Sequence, residues 1–434
     1  MKTFKPAKSR SLNALRKNSV SVAIAAAASL AIGMGSAAAA EQRLEVLHSW
    51  VSDSEVKAVN VIKERLSTQQ VTWVDSAVGG MSGSNAQQAL RARVTAGDPP
   101  GAMQFLGHEA MIWADQGVLS NLNQDASANH WDQVVPDAVK PFLKHGNDWV
   151  AVPVNMHRQN WLWANAKAFE KAGVTPPRSW DELFAAGDKL RAAGYIPLAI
   201  SDEPWQIGIV FDAILIDLYG ADFYKKTAID LDEKALSSPE MVKVFDTLRK
   251  VRGLADANFP GRDWAVATGM VINGKAAMQF MGDWAKGEFL AKGLKPGADF
   301  LCLETPGKEV SFQFVMDTFG MFKVDNTGTQ KAQVALADTT MDKATQHDFS
   351  LIKGSIPART DVDISDYDSC GIKSAEDRAT AEKNGSLVGA LTHGFASQSE
   401  FASVFQDVVS QFFVTDMSSQ DAVDLLVQSI NNAR

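Results

Sequence analysis

Short apolar runs alternate with amphipathic stretches along most of the chain, and that order predicts strands covered by helices. Leu44 to Leu47 reads as a strand, and Glu55 to Leu66 follows with Val59, Ile62 and Leu66 on one helical face and Ser54 as its cap. Val71 to Val74 is β-branched and strand-like. A loop at Gly79-Gly80 leads to a helix over 84–95, which Gly97-Asp98-Pro99-Pro100 stops before the strand Ala102 to Phe105. A βαβαβ order of this kind predicts a parallel sheet whose ligands bind at the carboxyl ends of the strands. His48, Ser49 and Trp50 lie at such an end.

The alternation continues with Ala151 to Val154 and a strand around Trp161 and Trp163. Ser179 caps a further helix, with Glu182 completing a capping box, and Pro197 to Ile200 is a strand running into the loop Ser201 to Trp205. Phe314 to Phe322 predicts a strand interrupted at Asp317 and Gly320, and Gln420 to Ile430 has helical spacing. No repeat, low-complexity tract or single linker divides the chain, as expected if it passes more than once between two α/β lobes.

Ahead of these elements lies a different pattern. Six lysines and arginines between Lys2 and Lys17 precede an uncharged apolar run from Val20 to Met34 and small residues from Ser36 to Ala40. This is the order of a cleaved secretory signal peptide over residues 1–40, and the run falls short of the roughly 20 residues of a membrane span. Export places the remaining chain outside the cytoplasm, without a steady supply of ATP or NAD, which disfavours kinases, synthetases and dehydrogenases. All six of those charges are positive, so the rest of the chain carries a net −15, which speaks against nucleic acid or anionic lipid as a partner. Cys302 and Cys370 are the only cysteines. An oxidising compartment lets such a pair close one disulfide, but spacing alone does not say whether they meet.

Enzyme motifs are largely missing: the chain has no H-E-x-x-H, P-loop, G-x-S-x-G or dinucleotide glycine fingerprint. Ser350-Leu351-Ile352-Lys353 matches the S-x-x-K of penicillin-binding proteins without its S-D-N and K-T-G partners. Asp361, Asp363 and Asp366 lack the glycine and closing glutamate of a calcium loop, so neither a metal nor a cofactor is expected. What stands out is tryptophan. All eleven lie between Trp50 and Trp284, and Trp50, Trp205 and Trp284 sit beside acids, amides or histidine in loop-like segments. Indole planes suit the apolar C–H faces of a pyranose, while charged and amide side chains suit its rim of hydroxyls.

Several of these segments carry a likeness to a known family. Leu47-His48-Ser49-Trp50 with Glu55, Gly97-Asp98-Pro99-Pro100, Asn155-Met156-His157-Arg158, Pro204-Trp205-Gln206, Met281 to Gly287, Asp317, Lys353 to Arg359 and His393-Gly394 resemble the periplasmic glucose/mannose-binding proteins of ABC sugar importers. The resemblance, within family 1 of the extracellular solute-binding proteins, runs from residue 44 to residue 434. It implies a two-lobed periplasmic-binding-protein fold of the class II type, each lobe a mostly parallel sheet flanked by helices. Residues 41–152 with 314–362 would form one lobe and 153–313 with 363–434 the other, with a hinge between.

By the same resemblance Trp50 and Trp284 stack on a sugar, while Glu55, Asp317, Lys353 and His393 hold its hydroxyls. Ser49, His157 and Trp205 complete the expected site, with His48, His108 and Asp283 as secondary candidates. The family usually has a second tryptophan where this chain has Ser49 and a lysine where it has Leu106, so that wall should be wider and poorer in donors. The expected ligand is a mono- or disaccharide and the expected partner a membrane permease, with presentation to a chemoreceptor compatible and the protein itself a monomer. The competing expectation is an exported carbohydrate-cleaving enzyme with Glu55 and Asp317 as its carboxyl pair.

Overall fold

The structure, a computed structural model, describes residues 41–80 and 83–434. The segment read as a signal peptide lies outside the described residues. Strand β1 (Gln42–His48) pairs in parallel with β2 (Val71–Ala77) and with β3 (Ala102–Phe105). The helices Asp53–Thr68 and Ser84–Thr95 make the two connections. The first helix is capped by Ser52 rather than Ser54. Ser52 is extended, its hydroxyl accepts from the Glu55 N–H, and the Glu55 carboxylate accepts from the Ser52 N–H. Ser54 already lies inside the helix.

A small ribbon, β4 (Lys144–His145) with β5 (Asp148–Trp149), leads into β6 (Ala151–Pro153). From there the chain enters a second set of strands: β7 (His157–Arg158), β8 (Trp161–Asn165), β9 (Ile196–Leu198), β10 (Ala276–Phe280), β11 (Phe300–Glu304) and β12 (Phe312–Val315). It returns through β13 (Thr318–Met321) and ends its strand content with β14 (Leu387–Gly389). The sheets are ordered β2-β1-β3-β13-β6, β11-β8-β10-β9 and β14-β12-β7. The described residues thus form a two-lobed α/β fold, with the five-stranded sheet and the β4–β5 ribbon in the first lobe and the four- and three-stranded sheets in the second.

The sheets are mixed rather than mostly parallel. Strand β13 re-enters antiparallel to both β3 and β6, and β8 lies antiparallel to β10 and β11. The chain comes back to its first sheet by a crossing from the other lobe, not by a helix crossover, so the rule for βαβ units does not govern that pair. The stretch 314–322 is interrupted at one point only. Met316 and Asp317 connect β12 to β13, which belong to different sheets, while Gly320 sits inside β13, where a Cβ would come within 2.5 Å of the Phe105 ring.

Two helix starts also differ in detail. Ser179 caps Trp180–Ala192, but Glu182 reaches back to the Arg178 N–H, one residue earlier than a capping box requires. The segment read as a loop at 201–205 ends in the helix Pro204–Tyr224, which proline opens at its first turn. Most tryptophans serve the core. Trp131, Trp149, Trp161 and Trp163 are fully buried, packing as Trp131–Trp149 and Trp161–Trp163 pairs. No helix among the described residues is long and apolar enough to cross a membrane.

Candidate functional site

A cavity of about 310 Å³ opens where the carboxyl ends of β1 and β3 face the second lobe. Ser49, Trp50, Glu55, His157, Trp205, Trp284, Asp317, Lys353 and His393 all line it. Residues more than 340 positions apart in sequence are therefore brought to one place. Strand ends supply Ser49, Trp50 and Leu106, and helix starts supply Glu55, Trp205 and Trp284. The last residue of the helix Lys343–Lys353 supplies Lys353, and the connector between the two lobes supplies Asp317.

The charged groups form a string of alternating sign. Lys353 Nζ lies 2.9 Å from Glu55 Oε1. Glu55 Oε2 accepts from the Val51 and Ser52 N–H groups at 3.1 Å each. Burial pushes the Glu55 carboxyl up, but the Lys353 ammonium and these N–H groups hold it below the ordinary range. Burial works against Lys353 too, and Glu55, Asp317 and Asp283 together raise it. Next along, Asp317 Oδ2 stands 3.2 Å from His157 Nε2, and Asp317 Oδ1 accepts from Gln104 Nε2 at 2.7 Å. Against the cost of burial, His157, Lys353 and Gln104 hold Asp317 at about 2. His157 Nδ1 bonds the Asp283 carboxylate, and the two aspartates raise its pKa despite complete burial.

His393 is different. Burial and the nearby His157 charge push it down to about 3, so it is neutral. Its ring meets Trp284 edge-on at 5.4 Å and Trp205 at 5.9 Å. Trp284 also packs edge-on against His157 at 5.3 Å, and Trp50 rests on Phe319 and Phe349. The cavity thus combines indole walls with fixed acceptors, one ammonium and one neutral imidazole.

The three secondary candidates do not line the cavity. His48 is buried behind it, bonded to Asp75 and stacked near Trp50 and Trp73. Asp283 acts through His157, and its other oxygen accepts from the Arg158 N–H at 2.9 Å. His108 joins a lobe–lobe contact, with Nδ1 2.8 Å from the Gly394 carbonyl and its ring against Phe142. Among the lining residues not singled out as candidates from sequence are Gln104, Glu203, Asp263 and Trp264. Asp263-Trp264 is one more tryptophan beside an acid, the signal used for the others, and Gln104 precedes the last residue of a strand. Cys302 and Cys370 form a disulfide, with Cα atoms 6.0 Å apart. Ser350 is fully buried, while Asp361 pairs with Arg359 and Asp366 with His347. Among the described residues no three His, Cys, Asp or Glu side chains gather as metal ligands would.

The family model for bacterial extracellular solute-binding proteins matches residues 68–334, and the chain belongs to that family. It is 44% identical over 394 residues to a protein of Brucella melitensis named "probable sugar-binding periplasmic protein", covering 91% of this chain and 93% of the relative. A protein of Rhizobium meliloti with the same name is 44% identical over 395 residues, covering 91% and 95%. Among solved structures, the bacterial solute receptor AcbH, described as preferring β-D-galactopyranose, superposes with a TM-score of 0.76 at 18% identity, covering 90% of this chain and 98% of AcbH. A chitin oligosaccharide binding protein gives 0.75 at 17% identity, with 90% and 98% covered.

Proposed function

We propose that this chain is an extracytoplasmic receptor that closes over a mono- or disaccharide and delivers it to an ABC permease. The observation that carries the reading is one cavity holding both indole planes and a pre-set string of hydrogen-bonding charges. Selectivity would then come from buried polar groups left unpaired when the hydroxyl pattern is wrong. The relatives named as periplasmic sugar-binding proteins support both the ligand class and the compartment. Export would use residues 1–40 as a cleaved signal peptide. Hinge motion would occur where the chain passes between sheets, at 154–156, at Met316-Asp317 and again between Lys353 and Ser369.

The wall formed by Ser49 and Leu106 supports a ligand larger than a bare glucose. Ser49 turns its N–H and hydroxyl onto Gln104 Oε1, and Leu106, Trp205 and His393 are shared with an adjoining cavity of about 140 Å³. Cleavage of the sugar is disfavoured. A glycosidase needs one carboxyl held protonated, whereas Glu55 and Asp317 are both held ionised.

Calorimetry against a panel of mono- and disaccharides tests the reading: heat with at least one is expected, and silence across the panel overturns it. Release of new reducing ends from a bound sugar would favour the enzyme instead. Trp284→Ala should weaken binding of the best panel sugar by about 1–3 kcal/mol, the value of an aromatic wall, with Trp284→Phe recovering part of the loss. Equal affinities for all three proteins would remove Trp284 from the site.

A further inference from the structure

His393 reaches the cavity on the turn after β14, and that turn is tied down residue by residue. Tyr224 Oη donates to the Gly389 carbonyl at 2.9 Å and accepts from the Leu391 N–H at 2.8 Å. Asp212 Oδ2 accepts from the Thr392 N–H at 3.0 Å, and Gln406 Nε2 donates to the Thr392 carbonyl at 2.6 Å. The helix carrying Asp212 and Tyr224 comes so close that a Cβ on Gly208 would lie 2.5 Å from Thr392 Oγ1. With the backbone fixed and the ring set edge-on against Trp205 and Trp284, what remains to settle is which nitrogen bears the proton.

The neighbours decide it. His393 Nδ1 lies 2.6 Å from Gln159 Oε1, and Gln159 Nε2 lies 2.8 Å from Asp212 Oδ2. Asp212 Oδ2 already receives the Thr392 N–H, so it offers only an acceptor and turns the amide nitrogen of Gln159 towards itself. The amide oxygen must then face His393, and it can only accept. Nδ1 therefore carries the proton, and Nε2, which has no partner among the described residues, presents a bare lone pair.

Burial raises the Asp212 carboxyl to about 6. Protonation would place the proton on Oδ1, the oxygen without a partner, and leave Oδ2 accepting as before. The direction of the relay is thus the same on either side of that pKa.

We infer that Gln159 and Asp212 are positioning residues that lock His393 in its Nδ1-protonated tautomer, so that the ligand must bring a hydrogen-bond donor to that point of the cavity. The inference rests on the sugar-binding reading for its ligand, but not for its tautomer. A hydroxyl fits there, whereas an ether, carbonyl or carboxylate oxygen meets a lone pair and is rejected.

Imidazole ¹⁵N NMR of the ligand-free protein tests this, with the His393 signals assigned by their loss in His393→Gln. A protonated Nδ1 and an unprotonated Nε2 are expected throughout about pH 5 to 8, the range in which an unrestrained histidine would titrate. Gln159→Met keeps the length of the side chain but removes the acceptor. It should let the Nε2-protonated form appear and weaken binding of the best panel sugar by about tenfold, the upper range for one lost hydrogen bond. If that variant does not fold, Gln159→Leu, which also lacks the acceptor, decides instead by the same readout. An Nε2-protonated wild type, or an unchanged tautomer in whichever of the two variants folds, overturns the inference. If no sugar binds at all, the proposed function falls while the NMR result still decides the relay.

Discussion

Replacing Asp283 with asparagine should lower the stability of the ligand-free protein by about 3 kcal/mol, the low end for breaking a buried ion pair. Asp283 and His157 are both almost fully buried, and Asp317 remains on the far side of the ring, which keeps the loss from being larger. The pH dependence has a definite sign. His157 has a raised pKa in the folded state, so its ion pairs contribute fully below its unfolded value of about 6.5 and fade as pH rises through the folded value. Asp317 is depressed to about 2, so its contribution is present above about 4 and disappears as pH falls towards 2. The gap in denaturation midpoint between wild type and Asp283→Asn should therefore narrow as the pH rises through the folded value of His157, whereas loss of the Asp317 contribution in acid, common to both proteins, should lower both midpoints together. A gap that widens with rising pH would mean that His157 is neutral in the fold.

Removing the disulfide should have a comparable effect with a different signature. Cys302 on β11 and Cys370 in the helix Ser369–Asn384 close a span of 68 residues. That span contains the whole excursion through β13 and the helices Thr327–Met341 and Lys343–Lys353 into the first lobe. The crosslink ties the strand before the excursion to the helix after it. On the chain-entropy account such a loop contributes about 4 kcal/mol, mostly by restricting the unfolded chain. Cys302→Ala with Cys370→Ala should melt roughly 5 °C lower, given the usual unfolding entropy per residue for a chain of this size. Sugar affinity should hardly change, because neither cysteine lines the cavity. A fall in affinity without a fall in melting temperature would refute this account.

The strands and helices of the first lobe were legible because each is a local pattern. Residues 84–95 and 102–105 match their predicted bounds, and β1 and β2 extend theirs by only a few residues. Sheet partners were not legible, because β13 lies beside β3 through contacts more than 200 residues apart that no periodicity records. The lining of the cavity was anticipated where the family likeness carried residues over, as with Asp317 and Lys353, and where a tryptophan stands beside an acid or amide in sequence. The reading failed where the role depends on a partner. His48 and His108 look like cavity histidines in sequence, and only their distances to Asp75 and Gly394 give them structural duties. Gln159 and Asp212 carry no sequence signal at all, since an amide and an acid 53 positions apart become a pair only in the fold.

The insertion of β13 between β3 and β6 has a kinetic consequence. Until the chain has reached Met321, β1, β2 and β3 form a sheet with an unfilled edge at β3, and β6 has nothing in that sheet to join. The second lobe waits even longer, because its helix Pro239–Arg252 packs against the C-terminal helix Ser419–Ala433. Neither half can therefore finish folding early in synthesis. Long-range pairing of this kind is slow to nucleate and leaves strand edges open to other chains in the meantime. Were the chain threaded through a membrane in extended form, as the proposed export requires, that delay would keep it fit for passage until almost all of it had been made.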